Sequence, residues 1–307
     1  MKEQIISLDK DTIELFAQKG VQGETCLPHT SNPNGLVVRR VMQLIQDITR
    51  KPFSELRILD LACGEGVYSI EAALRGAEVH ALDARTERMD EGVRAVQRLG
   101  LTNIKFEQRD IRDVTLASHR IVDIVLLLGI LYHLDQRDVF FVLKNVYELC
   151  TQFVIIDTHV AQEAEVEVEY DGHVYQGLIF REHAERDSDQ VRRKRLLASL
   201  DNSTSFWFTK DSLFRLLRQV GFSTVSECFV PLVPLRQQDR VTIIAVKGEP
   251  MELYSYPWLN NLSEQEIECC LAKNSDQLSR DGFDIKSQLK EGVNKLLRLF
   301  GLKIVRR

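Results

Sequence analysis

Hydrophobic and polar positions alternate along the chain with two different periods. Short apolar runs at Arg57–Ala62, Glu78–Asp83, Ile104–Gln108, Ile121–Leu128 and Phe153–Asp157 predict β-strands. The fourth is almost entirely apolar, as expected for the middle of a parallel sheet. Between the runs, helical patterning covers Leu36–Thr49, Val67–Arg75, Glu87–Leu99 and Val139–Cys150. In the first of these the stripe is Val37, Val41, Leu44, Ile45 and Ile48. Strands that alternate with helices predict an α/β fold with an open, mostly parallel sheet and right-handed crossovers.

After Asp157 the pattern changes. Val166–Tyr170 alternates with period two, Asp171-Gly172 follows, and His173–Phe180 resumes the alternation, which predicts a hairpin. A charged stretch contains Arg192-Arg193-Lys194-Arg195, and Phe206-Trp207-Phe208 leads into Thr209-Lys210-Asp211-Ser212, a helix start. That helix closes at Gly221, and Val225–Val230 and Val241–Val246 bring the sheet to seven strands. Before the first strand, a short helix is expected at Lys10–Lys19. Two prolines and a glycine in Leu27–Gly35 exclude a regular helix there. The chain thus divides into an N-terminal segment (1–35), a main domain (36–248) with an insertion (160–208), and a tail (249–307) with helical patterning.

Composition narrows the function classes. At 44% hydrophobic and 28% charged, the 307 residues carry enough apolar side chains for a sizeable core. Net charge is −5, the opposite sign to a protein that binds nucleic acid over its whole surface. No run of about 18 apolar residues predicts a membrane span, and the acidic first residues do not form a secretory signal. The six cysteines are scattered without a C-x-x-C pair. They read as free thiols in a reducing compartment, so a cytoplasmic protein without a structural zinc or other metal site is expected.

The informative segment is Leu59-Asp60-Leu61-Ala62-Cys63-Gly64-Glu65-Gly66. Two glycines directly after a strand and before a helix let a ligand approach the backbone and the free N–H groups of the helix start. Asp83 ends the second strand, where a carboxylate can accept hydrogen bonds from ribose hydroxyls. Asp110-Ile111 ends the third, where an acid and an aliphatic side chain can flank adenine, and Leu128-Gly129 ends the fourth. Ligands of open α/β sheets bind beyond the carboxyl ends of strands, so these positions converge. The dinucleotide fingerprint is absent because Ser69 stands where its third glycine belongs, and no Walker lysine follows. Asp60, four residues before Gly64, would repel a pyrophosphate but suits a ligand that carries an ammonium group.

Leu59–Gly66, Asp83, Asp110-Ile111 and Gly129-Ile130-Leu131-Tyr132-His133-Leu134 together resemble the successive motifs of class I S-adenosylmethionine-dependent methyltransferases, over about residues 36–248. The resemblance implies that Gly64 and Gly66 approach the methionine portion of S-adenosylmethionine. It also implies that Asp83 binds ribose and that Asp110 with Ile111 holds adenine. Asp60, Ala62, Ala84, Leu128 and Gly129 complete the expected cofactor set. It further implies that the 160–208 insertion is a substrate cover, within which Tyr170, Tyr175, Arg181, His183, Phe206 and Trp207 bear watching.

Methyl transfer from a sulfonium is an in-line displacement that depends chiefly on positioning, with a base only where the acceptor loses a proton. His133 reads either as that base or as an orienting and packing histidine. Tyr132 reads as a cation–π partner of the sulfonium or as a cover over the adenosine. Asp157 and His159 end the fifth strand, where they bind the acceptor or cap the strand. Arg181 pairs with an acceptor carboxylate or forms a surface ion pair. Trp207 lines an apolar pocket or packs into the core. His29 belongs to a lid over the site or to an exposed loop. The tail from Lys286 is basic with one apolar face, which points to docking on its own domain or a subunit, a membrane surface, or a C-terminal fusion partner. The acceptor expected is an oxygen or nitrogen of a small or peptide-like metabolite, as in natural-product modification, with S-adenosylhomocysteine as the product. Nucleic acid is disfavoured because the basic run lies among acids. Two alternatives remain: an RNA-modifying enzyme, since Leu131–Leu134 is similar to segments of some tRNA wobble-uridine modifying enzymes, and a cofactor-binding module without catalysis.

Overall fold

The computed structural model describes residues 33–228 and 239–249, with 33–36 described by backbone alone. The expected helix at Lys10–Lys19, His29 with its loop, and the tail after residue 249 lie outside the described residues.

The first described element, α1 (Pro33–Thr49), begins inside the stretch whose prolines and glycine were expected to exclude a helix. Pro33 occupies the first turn, where its missing N–H forfeits no intrahelical bond and its fixed φ suits the helix. The alternation follows as β1 (Arg57–Leu61), α2 (Val67–Leu74), β2 (Glu78–Asp83), α3 (Thr86–Leu99), β3 (Ile104–Gln108), β4 (Val122–Leu128), α4 (Gln136–Leu149) and β5 (Cys150–His159). Helix α4 starts a turn before the apolar pattern does. The Asp135 side chain accepts the N–H groups of Arg137 and Asp138, both at 2.9 Å, and so caps the new turn.

The insertion contributes β6 (Val166–Tyr170), β7 (His173–Arg181), the short α5 (Asp189–Lys194) and β8 (Thr204–Phe208). Sequence patterning placed Phe206-Trp207-Phe208 only as a lead into the next helix. They are the third strand of an antiparallel sheet in the order β6-β7-β8. Helix α6 (Lys210–Gln219), β9 (Thr224–Glu227) and β10 (Arg240–Val246) end the described domain.

The main sheet has seven strands in the order β3-β2-β1-β4-β5-β10-β9. All contacts from β3 to β5 are parallel, and β10 runs antiparallel to both its neighbours. Period-two alternation assigns each strand's side chains to two cores. Ile58, Ile124, Leu126, Phe153 and Ile155 face α1 and α2, where they meet Val41, Met42, Ile45 and Ala72. Leu59, Leu61, Val125, Leu127, Val154 and Ile156 face α4 and α6. Tyr175, Phe206 and Phe208 of the insertion pack into this second core, so one face of the small sheet joins the domain's interior while the other stays exposed. The strand order reverses at β1, between β2 and β4, which opens a crevice at the carboxyl ends of these strands. Among the described residues no helix is long and apolar enough to cross a membrane.

Candidate functional site

A cleft of about 1020 Å³ occupies that crevice. Asp60, Ala62, Gly64, Asp83, Ala84, Asp110, Ile111, Leu128, Gly129, Tyr132, His133 and Asp157 all line it. Gly66, His159, Trp207 and Arg181 do not.

The turn after β1 is left-handed at Ala62 (φ 60°), Gly64 (φ 56°) and Gly66 (φ 76°). A Cβ at Gly66 would stand 2.4 Å from the Phe106 ring, so the packing of this turn against β3 demands glycine there, whatever ligand is bound. The Gly64 N–H donates to Asp83 Oδ2 at 2.9 Å and the Arg85 N–H to Asp83 Oδ1 at 2.8 Å. Both carboxylate oxygens are thereby fixed, and each retains a lone pair for a hydroxyl donor. Asp60 is 2% exposed, and its carboxylate accepts the Ser69 hydroxyl at 2.6 Å. Burial pushes the Asp60 carboxyl up to about 7; the Ser69 hydrogen bond opposes this and the nearby Asp83 adds to it. A ligand ammonium would supply the counter-charge that this carboxylate lacks. Asp110 is less available than its position at the end of β3 implied. Arg112 donates to both its oxygens, through Nε at 3.0 and 3.1 Å and Nη2 at 2.6 Å, and also reaches Asp201 at 2.9 Å.

The opposite wall joins residues far apart in sequence. His133 Nδ1 lies 2.8 Å from Glu182 Oε1, just past the end of β7. The Glu182 side chain is 2% exposed and also accepts the Ser205 hydroxyl at 2.9 Å and the Ser199 N–H at 3.1 Å. Burial pushes the Glu182 carboxyl up, but the hydrogen bonds outweigh it and hold the group below the usual carboxylate range. A fixed carboxylate at Nδ1 places the imidazole proton on that nitrogen and leaves the Nε2 lone pair free to take a proton. The Tyr132 ring lies tilted against His133, with centroids 4.3 Å apart, and the Tyr132 carbonyl accepts the Trp207 indole N–H at 2.8 Å. Trp207 in turn lies between Phe180 and His159, at 4.4 and 5.0 Å, so it supports Tyr132 from behind. His159 sits in the same layer, 8% exposed. Burial and the nearby Arg240 lower its pKa, and its Nδ1 lies 3.1 Å from Asp239 Oδ1.

Two candidate acceptor ligands, Asp157 and Arg181, have partners within the protein itself. The Asp157 carboxylate accepts Arg240 Nε and, at 2.6 Å, the Thr242 hydroxyl, which makes it a partner of β10. The Arg181 side chain is 72% exposed and lies 3.9 Å from Glu185, outside the cleft, because the end of β7 turns it to solvent. Glu182, Arg240, Arg85, Arg88 and Arg112 were missed. Arg85 Nη2 donates to the carbonyls of Ala198 and Ser199, both at 3.0 Å, and Arg88 Nη1 to that of Leu196 at 3.2 Å. These bonds hold Leu196–Asn202 of the insertion against the cleft, which that segment helps to line. One signal was available: Arg240 is the one charged residue of strand β10. Away from the cleft, His80, Glu107 and His119 converge, but Lys105 at 2.9 Å and Arg109 at 2.7 Å already hold Glu107.

Comparison with known proteins agrees with this geometry. Residues 58–152 match a family described as methyltransferase domain. A search of curated proteins finds no match. Among solved structures, the N-terminal domain of EvdMO1, crystallised in the presence of SAH and D-fucose, superposes with a TM-score of 0.57 at 18% identity. The match covers 78% of this chain and 98% of that one. Full EvdMO1 matches at a TM-score of 0.50 and 17% identity, over 77% of this chain and 47% of that one. The parallel sheet with one antiparallel strand, the glycine turn after β1 and the matched segment lead to one conclusion: the described domain has the fold of class I S-adenosylmethionine-dependent methyltransferases, and residues 58–152 within it match a methyltransferase domain.

Proposed function

We propose that the domain transfers a methyl group to an oxygen or nitrogen of a small-molecule acceptor, with His133 as general base and Glu182 as the residue that orients it. The observation that carries this reading is the His133–Glu182 pair at the cleft wall, with Glu182 buried and engaged by three donors. Such a carboxylate fixes the imidazole tautomer and stabilises the imidazolium formed on proton abstraction. A base is of use only for an acceptor that loses a proton, which favours a hydroxyl over an amine already neutral at working pH.

The cofactor residues fit their ligand. Asp83 offers the remaining lone pairs of a pre-positioned carboxylate to the ribose, Asp60 a buried negative charge to the ammonium, and Ile111 with Leu128 apolar surface to the adenine. Bound there, S-adenosylmethionine supplies an electrophilic methyl group on a sulfonium. The chain's own contribution is to align the acceptor, remove its proton and exclude water with Leu196–Asn202. The cleft volume lies at the upper end of the roughly 300–1,000 Å³ common for ligand pockets, enough for donor and acceptor together.

Small acceptors are favoured over RNA because two of the four cations of the basic run are engaged by the insertion itself. Arg192 donates to the Asp201 carbonyl at 2.8 Å and Arg195 pairs with Asp187 at 2.7 Å. EvdMO1's N-terminal domain, crystallised with D-fucose, offers a small polyhydroxylated molecule as a parallel. The test is release of S-adenosylhomocysteine across a panel of small hydroxylated and amine acceptors. His133→Ala is expected to slow turnover by about 10²–10⁴-fold while calorimetry finds cofactor affinity unchanged. A near-normal rate would return His133 to packing, and cofactor binding without turnover of any acceptor would favour a non-catalytic module.

A further inference from the structure

Arg240 opens β10 directly opposite His159 of β5, and its guanidinium reaches the cleft between the acceptor-side residues. Its Nε is taken by Asp157, and Nη1 lies 3.4 Å from the Tyr132 hydroxyl and 3.3 Å from His159 Nε2. The guanidinium carbon stands 5.3 Å from the centre of the Tyr132 ring. Nη2 makes no hydrogen bond among the described residues. It lies over Gly129, where a Cβ would be only 3.2 Å away, so the absence of a side chain at Gly129 (φ 86°) admits the guanidinium to this end of the cleft.

A planar guanidinium has five N–H donors in a rigid fork, and its usual complement is a carboxylate or phosphate. Asp157 is such a partner, but it engages Arg240 through Nε alone. Its other oxygen is turned to Thr242. The contact holds the arginine still and leaves the Nη2 edge for a second anion. The side chain retains 27% exposure, so that edge is reachable from the cleft. The neighbouring groups are suited to the same task. Tyr132 presents a ring beneath the guanidinium, and burial together with Arg240 itself lowers the pKa of His159.

We infer that Arg240 anchors an anionic group of the acceptor, a carboxylate or a phosphate, and so selects acidic small molecules as substrates. This inference rests on the methyltransferase reading and adds the acceptor's charge to it. The other anion able to reach this end of the cleft is the carboxylate of the cofactor's own amino-acid portion, and the test separates the two.

Full-length protein saturated with S-adenosylhomocysteine is titrated with benzoate and inorganic phosphate, with benzamide as the neutral control, and followed by calorimetry and by NMR. Saturable binding of at least one anion, absence of benzamide binding, and a loss of at least tenfold in Arg240→Gln are expected. Arg240→Lys, which keeps the charge but not the fork, should fall between them. Thermal melts verify that both variants are folded; should Arg240→Gln fail to fold, the Arg240→Lys comparison decides. Absence of anion binding to the loaded wild type, or equal binding in the variants, overturns the inference. So does a loss of S-adenosylhomocysteine affinity in Arg240→Gln with unchanged affinity for 5′-methylthioadenosine, which has no carboxylate, because the cofactor would then be the anion's source. Failure of the wild type to bind S-adenosylhomocysteine is a different result and sinks the methyltransferase reading itself.

Discussion

The two walls of the cleft are built on different principles. On the wall proposed to hold the cofactor, each contributing residue sits near the end of its own strand, within a few positions of a turn: Asp60 in β1 and Gly64 after it, Asp83 as the last residue of β2, Ile111 after β3, Leu128 and Gly129 at the end of β4. The parallel sheet brings the groups together simply by aligning strand ends. On the acceptor wall, convergence depends on long-range contacts. His133 and Glu182 are 49 residues apart, Tyr132 and Arg240 are 108, and Arg85 and Ala198 are 113. One wall is a property of the fold, and the other is a property of what the insertion and β10 lay across it.

The sharpest way to break this division is Glu182→Gln. If the walls are separable, the substitution lowers turnover by about 10³-fold, about 4 kcal/mol, because the amide no longer fixes the imidazole tautomer or stabilises its charged form. Calorimetric affinity for S-adenosylhomocysteine should be unchanged. A comparable loss on both measurements would show that Glu182 holds the whole cleft in shape and is not specific to His133. The pH–rate profile adds a readout that a structural defect would not produce. Its acidic limb should shift in Glu182→Gln, and Glu182→Asp should partly restore the wild-type profile.

This division also explains what was legible in the sequence. The seven strands, their alternation with helices and the strand-end residues that line the cleft were visible because each signal is local: an apolar run, a glycine turn, an acid at the run's end. The acceptor wall was visible only for residues adjacent to a strand of the main sheet, such as Tyr132 and His133. Glu182 stands in a stretch of mixed charge, Arg181 to Arg195, whose pattern is that of a solvated surface. Nothing local distinguishes it from the exposed Glu185 three positions later. Its burial comes from Ser199 and Ser205, which the insertion folds back over it. Strand β8 was missed for a related reason. Phe206 and Phe208 are buried while Trp207 between them is half-buried, a period-two pattern. Only three residues carry it, however, and the strong helix cap at Thr209 follows at once.

The cofactor wall can be tested by its own conflict between stability and binding. Burial raises the Asp60 carboxyl to about 7, whereas an unfolded aspartate titrates near 3.8. Between those values the folded chain holds a proton that the unfolded chain has released. The stability of the cofactor-free protein therefore falls as pH rises through this window, and the full cost is present above about 7. Three units correspond to roughly 4 kcal/mol at most. Asp60→Asn should remove this dependence, so that the cofactor-free variant melts higher than wild type at pH 8 and the two converge near pH 4. The same variant should bind S-adenosylhomocysteine more weakly, having lost the charge proposed to face the ammonium. A variant that loses stability at pH 8 would mean that the Asp60 carboxylate is already compensated in the free protein.

Arg85 is where the two walls meet, and it carries the smallest predicted effect. Its backbone N–H fixes Asp83, and its guanidinium accounts for bonds to two carbonyls of the insertion at 3.0 Å. Arg85→Met keeps the backbone contact and much of the aliphatic stem, and removes only the bonds to the insertion. The loss expected is about 1 kcal/mol, because Arg88 and Arg112 still hold the same segment. Hydrogen exchange should accelerate in residues 196–202 and stay unchanged in β1 and β2. Cofactor dissociation should quicken several-fold if the cofactor binds as proposed, since Leu196–Asn202 helps to line the cleft. If exchange instead rises at Gly64 and Asp83 as well, the insertion stabilises the cofactor wall directly. The division would then hold for how the two walls are encoded and fail for how they behave.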